Sequence, residues 1–406
     1  MKGSTLEEML VGIGTLEESA SFEVSLGQNI KILCMMALAI GYRFLIAPWK
    51  IKTRAKFYAE MEKLKQLPMR VPSEKTISVE DKDYFLKKDS LAFFKKNGYL
   101  PPFKVLTAEE AENLEEMVLK EYDDGFHGVS FYGDKIREIE IRHGKWPIED
   151  AGTYQALRLK PFRDLLRKPQ IAHRLASLLG DEVICWRSQF FYKKPGTEAT
   201  VWHQNATFRE TGKDAKLEST KDTPPALIQL NAWVALTDST KENGCLRLLP
   251  GSFTDARIHF LYDFAQNHRG LYFSMLPFSL SDLYKYTKIG LYGSIVGKSA
   301  LIFLTAIKLL GEEFLEKFEV LDLEMKAGEC LIFSALNMHA SYPNTSKDRF
   351  RFSFLGRCTS SDVRVVPSGW DTFASAEGPV EFELPEVHTF MVYGSDSHGF
   401  NKVLAE

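Results

Sequence analysis

The residue pattern predicts a mainly β fold with flanking helices, a sandwich or barrel entered through a helical segment. Two observations carry this expectation. Five runs, VICWRSQFFY, LIQLNAWVAL, CLRLL, ECLIFS and RFRFSFLGR, are short, rich in aromatic and β-branched residues, and divided by Gly, Pro or Asn turns. That is the texture of strands in a closed or two-layered sheet. Before them, apolar residues recur at helical spacing rather than in alternation. A chain of 406 residues has room for one large domain or two modest ones.

Residues 1–80 read as an N-terminal extension. It opens acidic, with Glu7, Glu8, Glu17, Glu18 and Glu23 against Lys2, where a secretory leader would be basic. Its apolar run, Ile32 to Tyr42, is interrupted by Arg43 and is too short for a bilayer, which needs roughly 20 residues. Two readings stand side by side. One is a helix packed against the following domain. The other is an interfacial anchor, with Trp49 at the border and Lys50, Lys52, Arg54 and Lys56 facing anionic headgroups.

The compact domain is expected over residues 81–406. DSLAFFKKNGYL forms a short helix stopped at Asn97-Gly98. Thr107 and Glu110 make a capping box for the next helix, whose Ala111, Leu114 and Val118 share one face. A further helix ends at Gly180, and the strands follow. They are interrupted by a long apolar, helical insertion at about 259–317. Within it, GSIVGKS has three residues between its glycines where a phosphate loop needs four, and no strand precedes it, so that reading fails.

A net charge of −3 sets up no field that would draw nucleic acid. The cysteines Cys34, Cys185, Cys245, Cys330 and Cys358 are odd in number and far apart, which argues against a disulfide framework and a structural zinc. A reducing, cytoplasmic setting fits, with peripheral membrane association on the anchor reading.

The chemistry-bearing residues begin in VWHQNATF. Residues two apart on a strand face the same way, so His203 and Asn205 look into the barrel together. NMHASYP places His339 just after the run ECLIFS, and Arg351 and Arg357 lie in RFRFSFLGR. Two imidazoles suit Fe(II) with open positions for a cosubstrate and oxygen. A buried arginine is the natural clamp for the far carboxylate of a dicarboxylic acid. Arg349 shares its alternation with Arg351, and pattern alone leaves both as candidates. The other histidines, His127, His143, His173, His259, His268, His388 and His398, read as structural.

WHQNATF, AWVALTDSTKENGCLRLLPGS, MKAGECLIFSALNMHASYP and RFRFSFLGR together resemble the phytanoyl-CoA dioxygenase superfamily of Fe(II)/2-oxoglutarate-dependent oxygenases. Within it they are most similar to the aliphatic halogenases of the syringomycin type. The resemblance runs from about Asp89 to Val366, outside the insertion, and implies a double-stranded β-helix, the jelly roll. It implies that His203 and His339 ligate iron, that Arg351 holds 2-oxoglutarate, and that Trp233 and Arg357 line that pocket. Asn231 falls near the halide environment.

At Asn205 the sequence departs from the family. Hydroxylases of this kind carry Asp there, and halogenases carry Ala or Gly. By charge Asn205 sides with the halogenases; by size it sides with Asp. The resemblance therefore implies Fe(II), 2-oxoglutarate, O2 and chloride acting on an unactivated aliphatic carbon. A hydroxylase with Asn205 as third ligand is the alternative, and a non-catalytic binding module the second. The resemblance implies a carrier-tethered or free small-molecule substrate, while the apolar insertion and N-terminal run suggest a lipid-like one.

Overall fold

The computed structural model describes residues 26–46, 51–65, 84–123, 157, 159–205, 216–219, 225–267, 271–272, 275, 279–280, 283, 295–311, 314, 317–375, 378–383 and 387–404. Two facing sheets form its centre. The larger has seven strands in the order β1 (Tyr99–Lys104), β8 (Glu329–Ser334), β5 (Leu230–Ala235), β10 (Arg351–Ser360), β2 (Val183–Lys193), β14 (His388–Tyr393) and β15 (Lys402–Val403). The smaller has four, β3 (Thr200–His203), β9 (His339–Ser341), β6 (Leu246–Leu248) and β7 (Leu321–Leu323). Two short pairs stand apart, β4 (Leu217–Ser219) with β11 (Val363–Val365) and β12 (Trp370–Ser375) with β13 (Gly378–Glu383).

Strand alternation gives the larger sheet two unlike faces. Phe190, Ala232, Val234, Cys330, Ile332, Phe352, Phe354 and Cys358 point outward into an apolar core. Helices α3 (Lys88–Asn97), α4 (Ala108–Asp123), α5 (Lys160–Arg167) and α6 (Pro169–Leu179) cover that face, after α1 (Leu26–Gly41) and α2 (Ile51–Lys65) in the chain. Helix α5 comes so close that a Cβ on Gly356 would meet Leu166 at 2.9 Å. The inward face contributes Trp233, Ala235, Leu331, Phe333 and Leu355, which pack against Leu248 and Leu323 of the smaller sheet.

Local signals explain the helix ends. Gly98 follows α3 in the left-handed conformation at φ 73°, its N–H donating to Phe94 O. The Thr107–Glu110 box forms in both directions, at 2.7 and 3.1 Å. Strand β1 departs from expectation: YLPPFK pairs with β8 despite two prolines. It lies at the edge of the sheet, and its register shifts between Leu100 and Phe103, where missing donors cost least. All five cysteines are free.

The helical insertion starts earlier than expected, with α8 (Ala256–Asn267), because Asp255 accepts from Arg257 N–H at 2.9 Å as its N-cap. The short α7 (Pro225–Ile228) precedes it, and α9 (Ile295–Leu310) follows. Helices α8 and α9 pack on the outer face of the smaller sheet, against Trp202, Leu336, Met338 and Ala340. Their apolar residues thus fill a second core on the far side of the sheet from the inter-sheet cavity. Helix α2 docks on this layer through Phe57 and Met61, the Phe57 ring lying 4.4 Å from that of Phe264. The apolar run itself, in α1, buries only Ile32 and Met36, against Leu283. Trp49, Lys50 and the expected boundary at residue 80 lie outside the described residues. No helix among the described residues is long and apolar enough to cross a membrane.

A carboxylate ties the C-terminal segment to the large sheet. Glu182 accepts from Ser361, from Ser397 N–H at 3.2 Å and, at 3.0 Å, pairs with His398. Burial alone would raise its pKa, but these hydrogen bonds outweigh burial and hold it at about 2. A depressed carboxylate stabilises the fold above its unfolded pKa and loses that contribution as pH falls through its folded one. Glu182→Gln should therefore lower the melting temperature at pH 7, and the gap to wild type should close as pH falls from about 4.5 to about 2. Thermal unfolding across a pH series checks this; a gap independent of pH would contradict it.

Candidate metal centre and cosubstrate pocket

Strands β3 and β9 are short and antiparallel, and their register sets His203 opposite His339. The two rings lie with centroids 4.2 Å apart, both side chains almost fully buried. His339 Nδ1 lies 2.7 Å from the Asn337 carbonyl; donation there leaves the Nε2 lone pair for a ligand. Burial first, then neighbouring His203, holds the His339 imidazole well below its ordinary pKa. It is thus neutral, the form that binds metal.

The loop behind His339 is fixed by Asn337, whose side chain donates to Asn97 O at 3.0 Å and accepts from Phe253 N–H at 3.3 Å. Gly98 leaves room for that amide, since a Cβ there would meet Asn337 Nδ2 at 2.6 Å. Sequence reasoning missed Asn337, because its side-chain partners come from two distant segments, Asn97 and Ser252–Phe253.

Asn205 lies just past β3, its N–H donating to Ala335 O at 2.7 Å. Its Nδ2 sits 3.2 Å from His339 Nε2, so the side chain faces the same side as the imidazoles. The position a facial triad gives to a carboxylate is held by a neutral amide. This donor set, two imidazoles and an amide, fits a divalent first-row metal such as Fe(II).

The cosubstrate end lies on the inward face of the large sheet. Arg351 is buried, its guanidinium carbon 5.7 Å from the Trp233 ring, and Nη1 donates to Gly244 O at 3.1 Å. Its Nε has no hydrogen-bond partner, and among the described residues it forms no ion pair. Burial pulls its pKa down to about 10. An unmatched buried guanidinium calls for an anion, and a dicarboxylate such as 2-oxoglutarate supplies one in matching planar geometry. Arg349 is excluded as the clamp: it precedes β10, is exposed, and pairs with Glu242. Arg357 donates to Gln189 at 3.1 Å and stands opposite Asn231 across the β10–β5 pair. Asn231 is fully buried; its Oδ1 accepts from Gln229 at 3.2 Å and its Nδ2 has no partner.

Two cations were not anticipated. Alternation along β2 brings Arg187 and Lys193 to the inward face, where they stand opposite Arg357 and Arg351. Lys193 Nζ is held by Glu198 O, Ser341 Oγ and Tyr342 O at 2.6–3.0 Å, and burial, then Arg351, pushes its pKa well down. The buried acids among the described residues are Asp255 and Asp362, both outside these strands, and Asp255 is committed to Arg257. The cavity between the sheets is therefore rich in cations and poor in acids. A separate cavity of about 570 Å³, lined by Tyr84, Phe93, Phe103 and Arg174 among others, shares no residue with this site.

The family model described as phytanoyl-CoA dioxygenase (PhyH) matches residues 94–353. Phytanoyl-CoA dioxygenase 1 of Oryza sativa subsp. japonica is 26% identical over 196 residues, 41% of this chain and 65% of that protein. Phytanoyl-CoA dioxygenase domain-containing protein 1 of Danio rerio is 30% identical over 95 residues, 23% of this chain and 28% of that protein. The chain thus spans less than two thirds of the length of either relative. Among solved structures, CytC3 superposes with a TM-score of 0.52 at 23% identity, covering 80% of this chain and 94% of that one. CytC3 with Fe(II) and alpha-ketoglutarate gives 0.50 at 23% identity, covering 79% and 93%. These likenesses establish the jelly-roll fold.

The arrangement predicts separate losses. His339→Ala should abolish Fe(II) retention after gel filtration. Arg351→Ala should weaken 2-oxoglutarate binding by roughly 10–100-fold, the loss expected for a charge-assisted hydrogen-bond pair. Arg349→Ala should leave it within about 2-fold, as for an exposed ion pair. Iron analysis of the filtered protein reads the first and calorimetric titration the other two, and equal losses from the two arginines would refute the assignment of the clamp.

Proposed function

The chain belongs to the phytanoyl-CoA dioxygenase family, and on that premise we propose that it is an Fe(II)/2-oxoglutarate-dependent halogenase of an unactivated aliphatic carbon. Neutral Asn205 beside the histidine pair carries the reading. Iron with 2-oxoglutarate and oxygen supplies the oxidising power to break such a C–H bond. The chain's own part is to hold the metal through His203 and His339, to anchor the cosubstrate's far carboxylate at Arg351 against Trp233, and to exclude water.

Charge decides between the two fates of the substrate. Arg351 balances one carboxylate of the cosubstrate, and the other, at the metal, offsets one of its two charges. An aspartate would cancel the remaining charge; Asn205 leaves it. A unit charge pair 4 Å apart is worth about 4 kcal/mol at an effective dielectric of 20. Against that gain stands the desolvation of the halide; the Asn205 Nδ2 contact to His339 Nε2 is no further cost, since a metal on that nitrogen already displaces it. Towards a halide, the amide N–H and buried Asn231 Nδ2 are suitable donors. A second reading, a hydroxylase with the amide oxygen as third ligand, is favoured by one observation: the amide already stands 3.2 Å from His339 Nε2.

Cosubstrate turnover should therefore rise with chloride, and bromide should replace it. Asn205→Gly should keep or increase halogenated product, and Asn205→Asp should divert it to alcohol, because an ionised carboxylate fills the position and repels the anion. Product mass spectrometry with chloride varied reads this out. Alcohol alone from wild type at saturating chloride, with turnover indifferent to halide, would establish the hydroxylase instead.

A further inference from the structure

The N-terminal helices carry a surface that the iron site does not use. Helix α1 continues into a π-helical turn, Tyr42–Ile46. It buries only one side, Ile32 and Met36, against Leu283. At 100° per residue, Leu26, Ile30, Leu33 and Leu38 fall on the other side, 79, 53, 56 and 67% exposed. Phe44 and Leu45 in the π-helical turn extend the patch at 69 and 72%. A contiguous apolar surface of this kind marks an interaction site rather than ordinary exposure.

Helix α2 supplies the charge. Phe57 and Met61 fasten it to the insertion, and Lys52 and Lys56 lie exposed on the side opposite Phe57. Within α1, the only charged side chain is Lys31, also exposed. Lys31 thus shares the exposed side of α1 with Leu38, α2 adds exposed Lys52 and Lys56, and no helix among the described residues is long and apolar enough to cross a membrane. A helix of that make-up lies in the plane of a bilayer interface, with lysines against acidic headgroups.

We propose that the exposed face of α1 and its π-helical turn, with Lys52 and Lys56 of α2, docks on an anionic lipid bilayer surface. The charged residues of α1, its turn and α2 are Lys31, Arg43, Lys52, Arg54, Lys56, Lys63 and Lys65 against Glu60 and Glu62, a basic excess that suits an anionic lipid surface better than a second copy carrying the same excess. The inference stands apart from the halogenation reading. Docking through α2 would hold the catalytic domain at a fixed distance from the bilayer.

The test uses the full chain and two vesicle preparations, phosphatidylcholine alone and phosphatidylcholine mixed with phosphatidylserine. Wild type should sediment with the mixed vesicles and less with the neutral ones. The double variant Leu33→Glu/Leu38→Glu should stay in the supernatant while keeping its melting temperature and Fe(II) binding, since both leucines are exposed. Lys52→Gln/Lys56→Gln should weaken binding to the mixed vesicles by roughly 5-fold per lysine. Wild type left in the supernatant with both preparations would overturn the proposal, as would unchanged binding by the leucine variant. So would a wild-type dimer that the leucine variant splits and that ignores vesicles, which would make the occupant a second copy.

Discussion

Between its two sheets the chain buries Arg351 and Lys193 near a pair of imidazoles and, among the described residues, places no buried acid on those strands. Isolated charges in a protein interior are costly unless matched. Lys193 is matched locally, by two carbonyls and a hydroxyl that tie β2 to β9. Arg351 has only the Gly244 carbonyl, and its buried Nε is left without a hydrogen-bond partner. The same deficit extends to the metal position, where Asn205 brings no charge. An anionic cosubstrate answers the first demand, and a halide would answer the second.

The fold makes this arrangement sustainable by giving each sheet a separate support. The strands that carry the histidines have only four and three residues. So short a ladder cannot by itself hold two imidazoles in ligating geometry. Its outer face is therefore clad by α8 and α9, with Trp202, Met338 and Ala340 in that core, and α2 closes over the same layer. On the other side, the large sheet is backed by an uninterrupted apolar core, so its inward face can carry arginines. The insertion thus acts as a splint for the ligand strands.

Much of this was legible along the chain because it depends on near neighbours. The Thr107–Glu110 box, the stop at Gly98 and the run ECLIFS follow from local rules and stand as read. Alternation puts His203 and Asn205 on one side, and the pairing of His203 with His339 comes from the family resemblance. Arg349 and Arg351 could not be separated by alternation. The structure sets them apart: Asn344 and Ser346 bind the Arg349 carbonyl at 2.7 and 2.6 Å, and the strand begins two residues later. Lys193 was missed because two of its acceptors lie 148 and 149 residues away. Strand β1 was missed because its prolines argue against a strand, a rule that relaxes at a sheet edge.

The central claim is that the missing carboxylate at Asn205 is answered by an anion at the metal. A crystal structure of the anaerobic protein with Fe(II), 2-oxoglutarate and bromide tests it most directly. The account predicts anomalous density for bromide at the metal, with the Asn205 side chain turned away from the third position. Asn205 Oδ1 bound to iron, with no bromide beside it, would contradict the account.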